Sequence, residues 1–232
     1  MSRHQRHDER RRRLVPAVLA AALALVAVTG CGVPLDDAPR AVAGTTTTTT
    51  IDGATTTTED QGASSAFLYF IANNQLITLD EEVPSSDAAA ALTALFAGVP
   101  SGASKDVVSQ IPTGTRLLGV RELGTQLEVD VSKEFDNLVG TGRSQATAQI
   151  VMTATDLAGI DQVSLRIEGQ STQVFSQVRG DTDQVGACDY LALLPTEELV
   201  GSWPLDRRAK QHLVTRINKL ATQCPDPASS DN

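Results

Sequence analysis

Histidine, cysteine and aromatic residues are all scarce in this chain of 232 residues, and each scarcity removes a class of function. Of three histidines, His4 and His7 fall in an N-terminal segment that reads as a leader, which leaves His212 alone. Nucleophilic triads and Cys–His pairs need an imidazole held in a pocket. The register of His212 places it beside Leu213 on a helix flank instead. No HExxH, CxxC or His/Cys cluster at ligand spacing occurs, so neither a metal nor a cofactor is expected. One Trp, two Tyr and five Phe supply no set of exposed rings on which sugars or single-stranded bases stack. Long apolar runs are missing too. The longest, Leu14 to Val28 with Pro16 inside it, falls short of the about 20 residues of a membrane-spanning helix.

What the N-terminus does contain has the order that export requires. Arg10 to Arg13 form a positive block, the short apolar run follows, and Val28-Thr29-Gly30-Cys31 resembles a lipobox. Small residues before the cysteine let an extended backbone enter a peptidase, and residues 1–30 then read as a lipoprotein signal peptide. Cys31 is the expected lipidation site, a thioether to diacylglycerol, and the chain is expected at the extracytoplasmic face of a bacterial cell membrane. Two acyl chains anchor stably where one holds marginally, at about 0.8 kcal/mol per buried CH₂. An ordinary signal peptide or a short signal anchor, with Cys31 incidental, is the alternative. The arginine run also admits twin-arginine export, although its flanking residues do not support that route specifically.

Removing the leader takes away six arginines and two acids, leaving 13 basic against 26 acidic residues, a net charge of −13. Phosphate repulsion then argues against a nucleic-acid partner. Cys188 and Cys224 are the even remainder once Cys31 is lipidated, and an oxidising compartment predicts one bridge between them. It would close a loop of 37 residues, worth about 3–4 kcal/mol in the chain-entropy account. Two separate buried thiols are the alternative.

Residues 31–65 read as a lipidated cysteine followed by a disordered tether, since Thr45–Thr50 and Thr55–Thr58 offer no apolar face to offset the entropy of ordering. As a coil this segment spans roughly 30–35 Å. It is either an unmodified spacer or an O-glycosylated stalk.

Folded structure is expected from Ala66. Phe67 to Ile71 and Gln75 to Val83 flank Asn73-Asn74, a hairpin signal. A helix follows, with its N-cap within Pro84–Asp87, apolar positions at Ala88, Leu92, Leu95 and Phe96, and a stop at Gly98 and Pro100. Leu127, Val129 and Val131 alternate with Glu128 and Asp130 as in a half-buried strand. A second helix is expected from Gly142 to Leu157, capped by Thr141, with Ala146, Ile150, Ala154 and Leu157 on one face. Val163, Leu165 and Ile167 form a further strand with which Thr172 to Val178 would pair. The order ββαββαββ predicts an α+β fold of antiparallel hairpins with helices packed on the sheet, over residues 66–178.

Residues 179–232 read as a C-terminal extension with a disordered tail. Within it, residues 205–224 form an amphipathic helix whose apolar face holds Ala209, Leu213, Ile217, Leu220 and Cys224. Arg207, Arg208, Lys210, Arg216 and Lys219 form its outer face, which either docks on the acidic body or meets a partner.

Carboxylates are the abundant acid–base groups: Asp130, Glu134 and Asp136 near one strand end, Glu81 and Glu82 near another. General acid–base work needs a pair about 5–10 Å apart in a cleft, and the spacing does not specify one. Gly140-Thr141-Gly142 precedes a helix and would present N–H groups to an anion, but a role as a helix start suffices.

Several blocks in order resemble the GerMN domain of sporulation and spore-germination proteins. They are Leu68-Tyr69-Phe70, Leu92 to Gly98, Ile111-Pro112-Thr113-Gly114-Thr115-Arg116-Leu117-Leu118, Val129 to Phe135, Ala148 to Thr155, and Val163 through Gly169. The resemblance implies an envelope module without catalytic residues, found in exported or lipid-anchored bacterial proteins, some of which accompany a membrane sensor kinase. Lipoproteins of that last kind carry a large β-propeller-like domain after the module, whereas only about 55 residues follow here. Ile111, Pro112, Asp130, Phe135 and Gln149 are expected to shape the fold, with Pro112 to Gly114 setting a turn and Asp130 and Ser132 capping a strand end. The functional expectation is a non-catalytic scaffold or interaction module in envelope biogenesis or signalling, with an envelope protein as partner. A lipoprotein that captures a small molecule or wall fragment is the second reading, and a carboxylate-dependent hydrolase the third.

Overall fold

The computed structural model describes residues 46–51, 54–59 and 64–224; the expected leader, Cys31 and the expected C-terminal tail lie outside them. The chain is α+β, with antiparallel sheets and packed helices. The threonine runs, expected as an unstructured tether, pair as antiparallel strands β1 (Thr46–Ile51) and β2 (Ala54–Glu59). β-Branching restricts threonine to extended backbone, and cross-strand pairing follows even without an apolar face.

Strands β3 (Ser64–Ala72) and β4 (Gln75–Val83) form the expected hairpin. Asn73 and Asn74 take φ of 50° and 64° at its turn, the left-handed values that asparagine tolerates and a two-residue hairpin loop requires. Helix α1 (Ala88–Phe96) starts at Asp87, which is itself the N-cap and accepts a hydrogen bond from the Ala90 N–H at 2.7 Å. It ends at Gly98 with φ +96°. A short β5 (Val107–Val108) pairs with the end of β3.

The second sheet has the order β6 (Leu117–Leu123), β7 (Gln126–Val131), β8 (Gln162–Ile167), β9 (Gln170–Thr172). β6–β7 and β8–β9 are antiparallel, but β7 and β8 run parallel, which corrects the expectation of antiparallel hairpins alone. The cause is helix α2 (Gly140–Thr155): a helical crossover returns the chain to its starting end, as a βαβ unit must. The N-cap of α2 is Val139, with no side-chain cap, so Thr141 is not the cap and the helix starts earlier than its pattern suggests. Every residue of α2 from Gln145 to Thr155 is buried, which a one-sided apolar stripe does not anticipate. Pairing beyond β8 also differs. Only β9 joins β8, while β10 (Val174–Ser176) pairs with β11 (Gly180–Thr182).

The region after residue 178 packs into the same core. Val185 bridges to Val163, and Cys188 is bonded to Cys224 with their Cα atoms 5.4 Å apart. A short α3 (Glu197–Ser202) precedes α4 (Arg207–Gln223), and Ala209, Leu213 and Leu220 of α4 are buried. No described helix is long and apolar enough to cross a membrane.

Candidate functional site

The carboxylates named from the sequence are dispersed, and most have a structural partner. Asp130 accepts from the Gly169 N–H at 3.0 Å, closing the β8–β9 turn onto β7. Ser132 Oγ accepts from the Arg116 N–H at 2.9 Å and donates to Glu134, and that bond is the first cause holding the Glu134 carboxyl below its ordinary value. Asp136 pairs with Arg143 at 3.0 Å. Among the described residues, no group of three or more His, Cys, Asp or Glu is arranged to hold a metal ion. Gly140 and Gly142 lie in the first turn of α2 and Gly140 takes a positive φ of 54°, in keeping with a helix start.

His212 is half-buried on the flank of α4. Its ring stacks on Phe67 with centroids 3.6 Å apart and planes 9° apart, and its Nε2 lies 2.6 Å from Asp156 Oδ2. Arg216, assigned to the outer face of α4, points inward: its side chain is 7% exposed and donates to the Thr155 carbonyl at 2.9 Å and hydroxyl at 3.0 Å. Arg216 Nε stands 3.5 Å from Asp156 Oδ1; both contacts to Asp156 are ion-pair distances without hydrogen-bond alignment. The neighbouring Tyr69 hydroxyl is fully buried. Burial first, and then Asp156, push its pKa well up, with Arg216 opposing in part. Arg208 pairs with Asp80 at 2.8 Å and lies over the Phe67 ring, while Lys210 donates to the Gly201 carbonyl. Arg208, Lys210 and Arg216 thus bind α4 to the rest of its own chain, and Arg207 and Lys219 stay exposed.

A second buried centre lies beside the disulfide. Asp189 accepts from Ser176 Oγ at 2.5 Å, from Arg179 Nε and Nη2 at 3.0 and 2.9 Å, and from the Gly186 N–H at 2.7 Å. Burial alone would raise this carboxyl, but the bonds from Arg179, Ser176 and Gly186 outweigh it and hold the pKa below the ordinary value.

The concave feature that sequence reasoning missed is a groove of about 440 Å³ built from three separated segments: 72–81, 100–107 and 203–206. Ile77, Leu79, Val107, Trp203 and Leu205 supply its apolar lining. Asp80, Glu81, Asp106 and Asp206 add carboxylates, and none of the lining side chains is basic. Asp206 is used as the N-cap of α4 and Asp80 by Arg208. Glu81 and Asp106 have no cationic partner among the described residues. Burial, then Asp80 and Glu82, raise the Glu81 carboxyl above its ordinary value. The Pro204-Leu205 segment before a clear helix was the available signal, but nothing in it announces which distant hairpin it faces.

The fold is an α+β arrangement in which α2 packs against strands of both small sheets. Residues 67–173 match the family model described as Germane: sporulation and spore germination, so this part of the chain is a GerMN-type domain. Among solved structures it is similar to the tandem GerMN domains of the sporulation protein GerM from Bacillus subtilis, at 22% identity and a TM-score of 0.45. That similarity covers 55% of this chain and 48% of the other, so the chain matches about half of the tandem. The first GerMN domain of the same protein matches at 21% identity and a TM-score of 0.43, covering 53% of this chain and 97% of the other. No curated protein matches the chain.

Proposed function

We propose that this chain is an exported lipoprotein, held at the membrane through a diacylglyceryl group on Cys31, whose GerMN-type domain acts without catalysis as an interaction module in envelope biogenesis or signalling. The observation that carries the reading is how the reactive side chains are used. Asp130, Glu134, Asp136, Asp156, Asp189 and His212 are each tied to a structural neighbour. The leader and the Val28-Thr29-Gly30-Cys31 sequence support the anchor. A ligand-capturing role is the second reading, favoured by the groove.

The anchor is tested by feeding cells a labelled fatty acid. Label and membrane fractionation are expected in the native chain and absent in Cys31→Ser; an unlabelled native chain overturns the anchor. For the interaction role, crosslinking in intact membranes is expected to recover a specific envelope protein. Recovery of the free chain alone, under conditions that trap other envelope complexes, overturns it.

A further inference from the structure

We propose that the groove between the β3–β4 hairpin and the Trp203–Asp206 segment is the seat of a basic segment of the partner protein, a lysine or arginine flanked by apolar residues. The inference deepens the interaction reading and rests on it.

Three observations combine. The volume, about 440 Å³, is large enough to seat a side chain with its flanking backbone. The lining pairs an apolar surface, Ile77, Leu79, Trp203 and Leu205, with carboxylates and includes no cation. Of those carboxylates, Glu81 and Asp106 are not engaged by any described basic group, so a cation entering here meets charge that the fold has left uncompensated. A lysine or arginine stem lies on apolar surface while its head reaches a carboxylate, which is the complementarity this lining offers. Crowding of like charge around Glu81, from Asp80 and Glu82, is relieved by the same cation. An acidic or purely apolar segment gains nothing from these groups.

Trp203, the single tryptophan of the chain, lines the groove and reports on it without labelling. The probe is a blocked peptide, acetyl-Ala-Leu-Lys-Leu-Ala-amide, titrated into the full chain in lipid nanodiscs while Trp203 emission is followed. Saturable binding that weakens with salt is expected. Replacing the peptide lysine by norleucine, or making Glu81→Gln with Asp106→Asn, is expected to weaken it at least roughly tenfold, the scale of one well-placed charge pair. Equal binding of the norleucine peptide, or no Trp203 response up to millimolar peptide, overturns the proposal. The peptide arm and the salt dependence use the native chain, so they decide the matter even where the double variant folds poorly.

Two further outcomes reassign the groove. Hexylamine binding as tightly as the peptide makes it a small-cation site, and self-association lost in the double variant makes the occupant a second copy. Either one overturns the partner segment. A membrane crosslink to a partner that persists undiminished in Glu81→Gln/Asp106→Asn leaves the interaction role standing and overturns the groove as its seat.

Discussion

The Gln149 side-chain amide stands in for a peptide group at the edge of β3: it donates to the Tyr69 carbonyl at 3.0 Å and accepts from the Gln110 N–H at 2.7 Å. One turn further along α2, Thr153 Oγ1 accepts from the Tyr69 N–H at 3.0 Å. Tyr69 pairs opposite Thr78 of β4 with its own N–H and carbonyl turned to the other side. β5 reaches only Ile71 and Ala72 on that side. A missing strand is therefore replaced by two helix side chains, which explains why polar residues are buried in the middle of α2.

Gln149→Leu keeps the volume and removes both bonds, leaving a buried carbonyl and an N–H without partners. Such a change costs about 2–6 kcal/mol, twice the penalty of one orphaned group. Urea unfolding measures it, and a loss below about 0.5 kcal/mol, the size of an ordinary surface change, would show that solvent satisfies these groups.

The Cys188–Cys224 bond ties α4 to the segment that follows β11. Cys224→Ser is expected to lower stability by about 3–4 kcal/mol under oxidising conditions and by nothing under reducing ones. Equal stability of both chains in oxidising buffer would mean that packing of α4 alone accounts for its attachment.

Arg216 sits between Asp156 and the Thr155 carbonyl, the latter 61 positions back in the chain, and these contacts are buried where α4 meets the end of α2. Arg216→Met removes the cation and leaves the Asp156 carboxylate to His212, at a cost of about 3–5 kcal/mol. Pairing it with Asp156→Asn is expected to recover part of the loss in a double-mutant cycle. Strict additivity of the two changes would refute their coupling.

Asp189 predicts an acid dependence. Its folded pKa is depressed, so its contribution is fully present above the unfolded carboxylate value of about 3.9 and is lost as pH falls through the folded value. The stability gap between the native chain and Asp189→Asn should be constant near neutrality and narrow below about pH 4. A gap that widens on acidification would reverse the sign and falsify the assignment of Arg179 and Ser176 as its stabilising partners.

Much of the local structure was legible. Asn73-Asn74 marks a tight turn because asparagine tolerates positive φ, and Asp87 and Gly98 delimit α1 because the ends of a helix need an acceptor and a left-handed exit. The alternation of Leu127, Val129 and Val131 places one face of β7 in the core. The even cysteine remainder after Cys31 identified the pair that is bonded. Helix α2 starts two residues before its expected start because Val139, which has no capping side chain, takes the N-cap position.

Turn chemistry, strand alternation and helix limits were written in the sequence by itself, because each depends on residues within a few positions of one another. Tertiary structure alone decided the parallel pairing of β7 with β8, the burial of Gln149 beside Tyr69, the stacking of His212 on Phe67 and the meeting of Glu81, Asp106 and Trp203 around one groove. Those partners are far apart along the chain, and periodicity records which face of an element is apolar but not what it will be packed against.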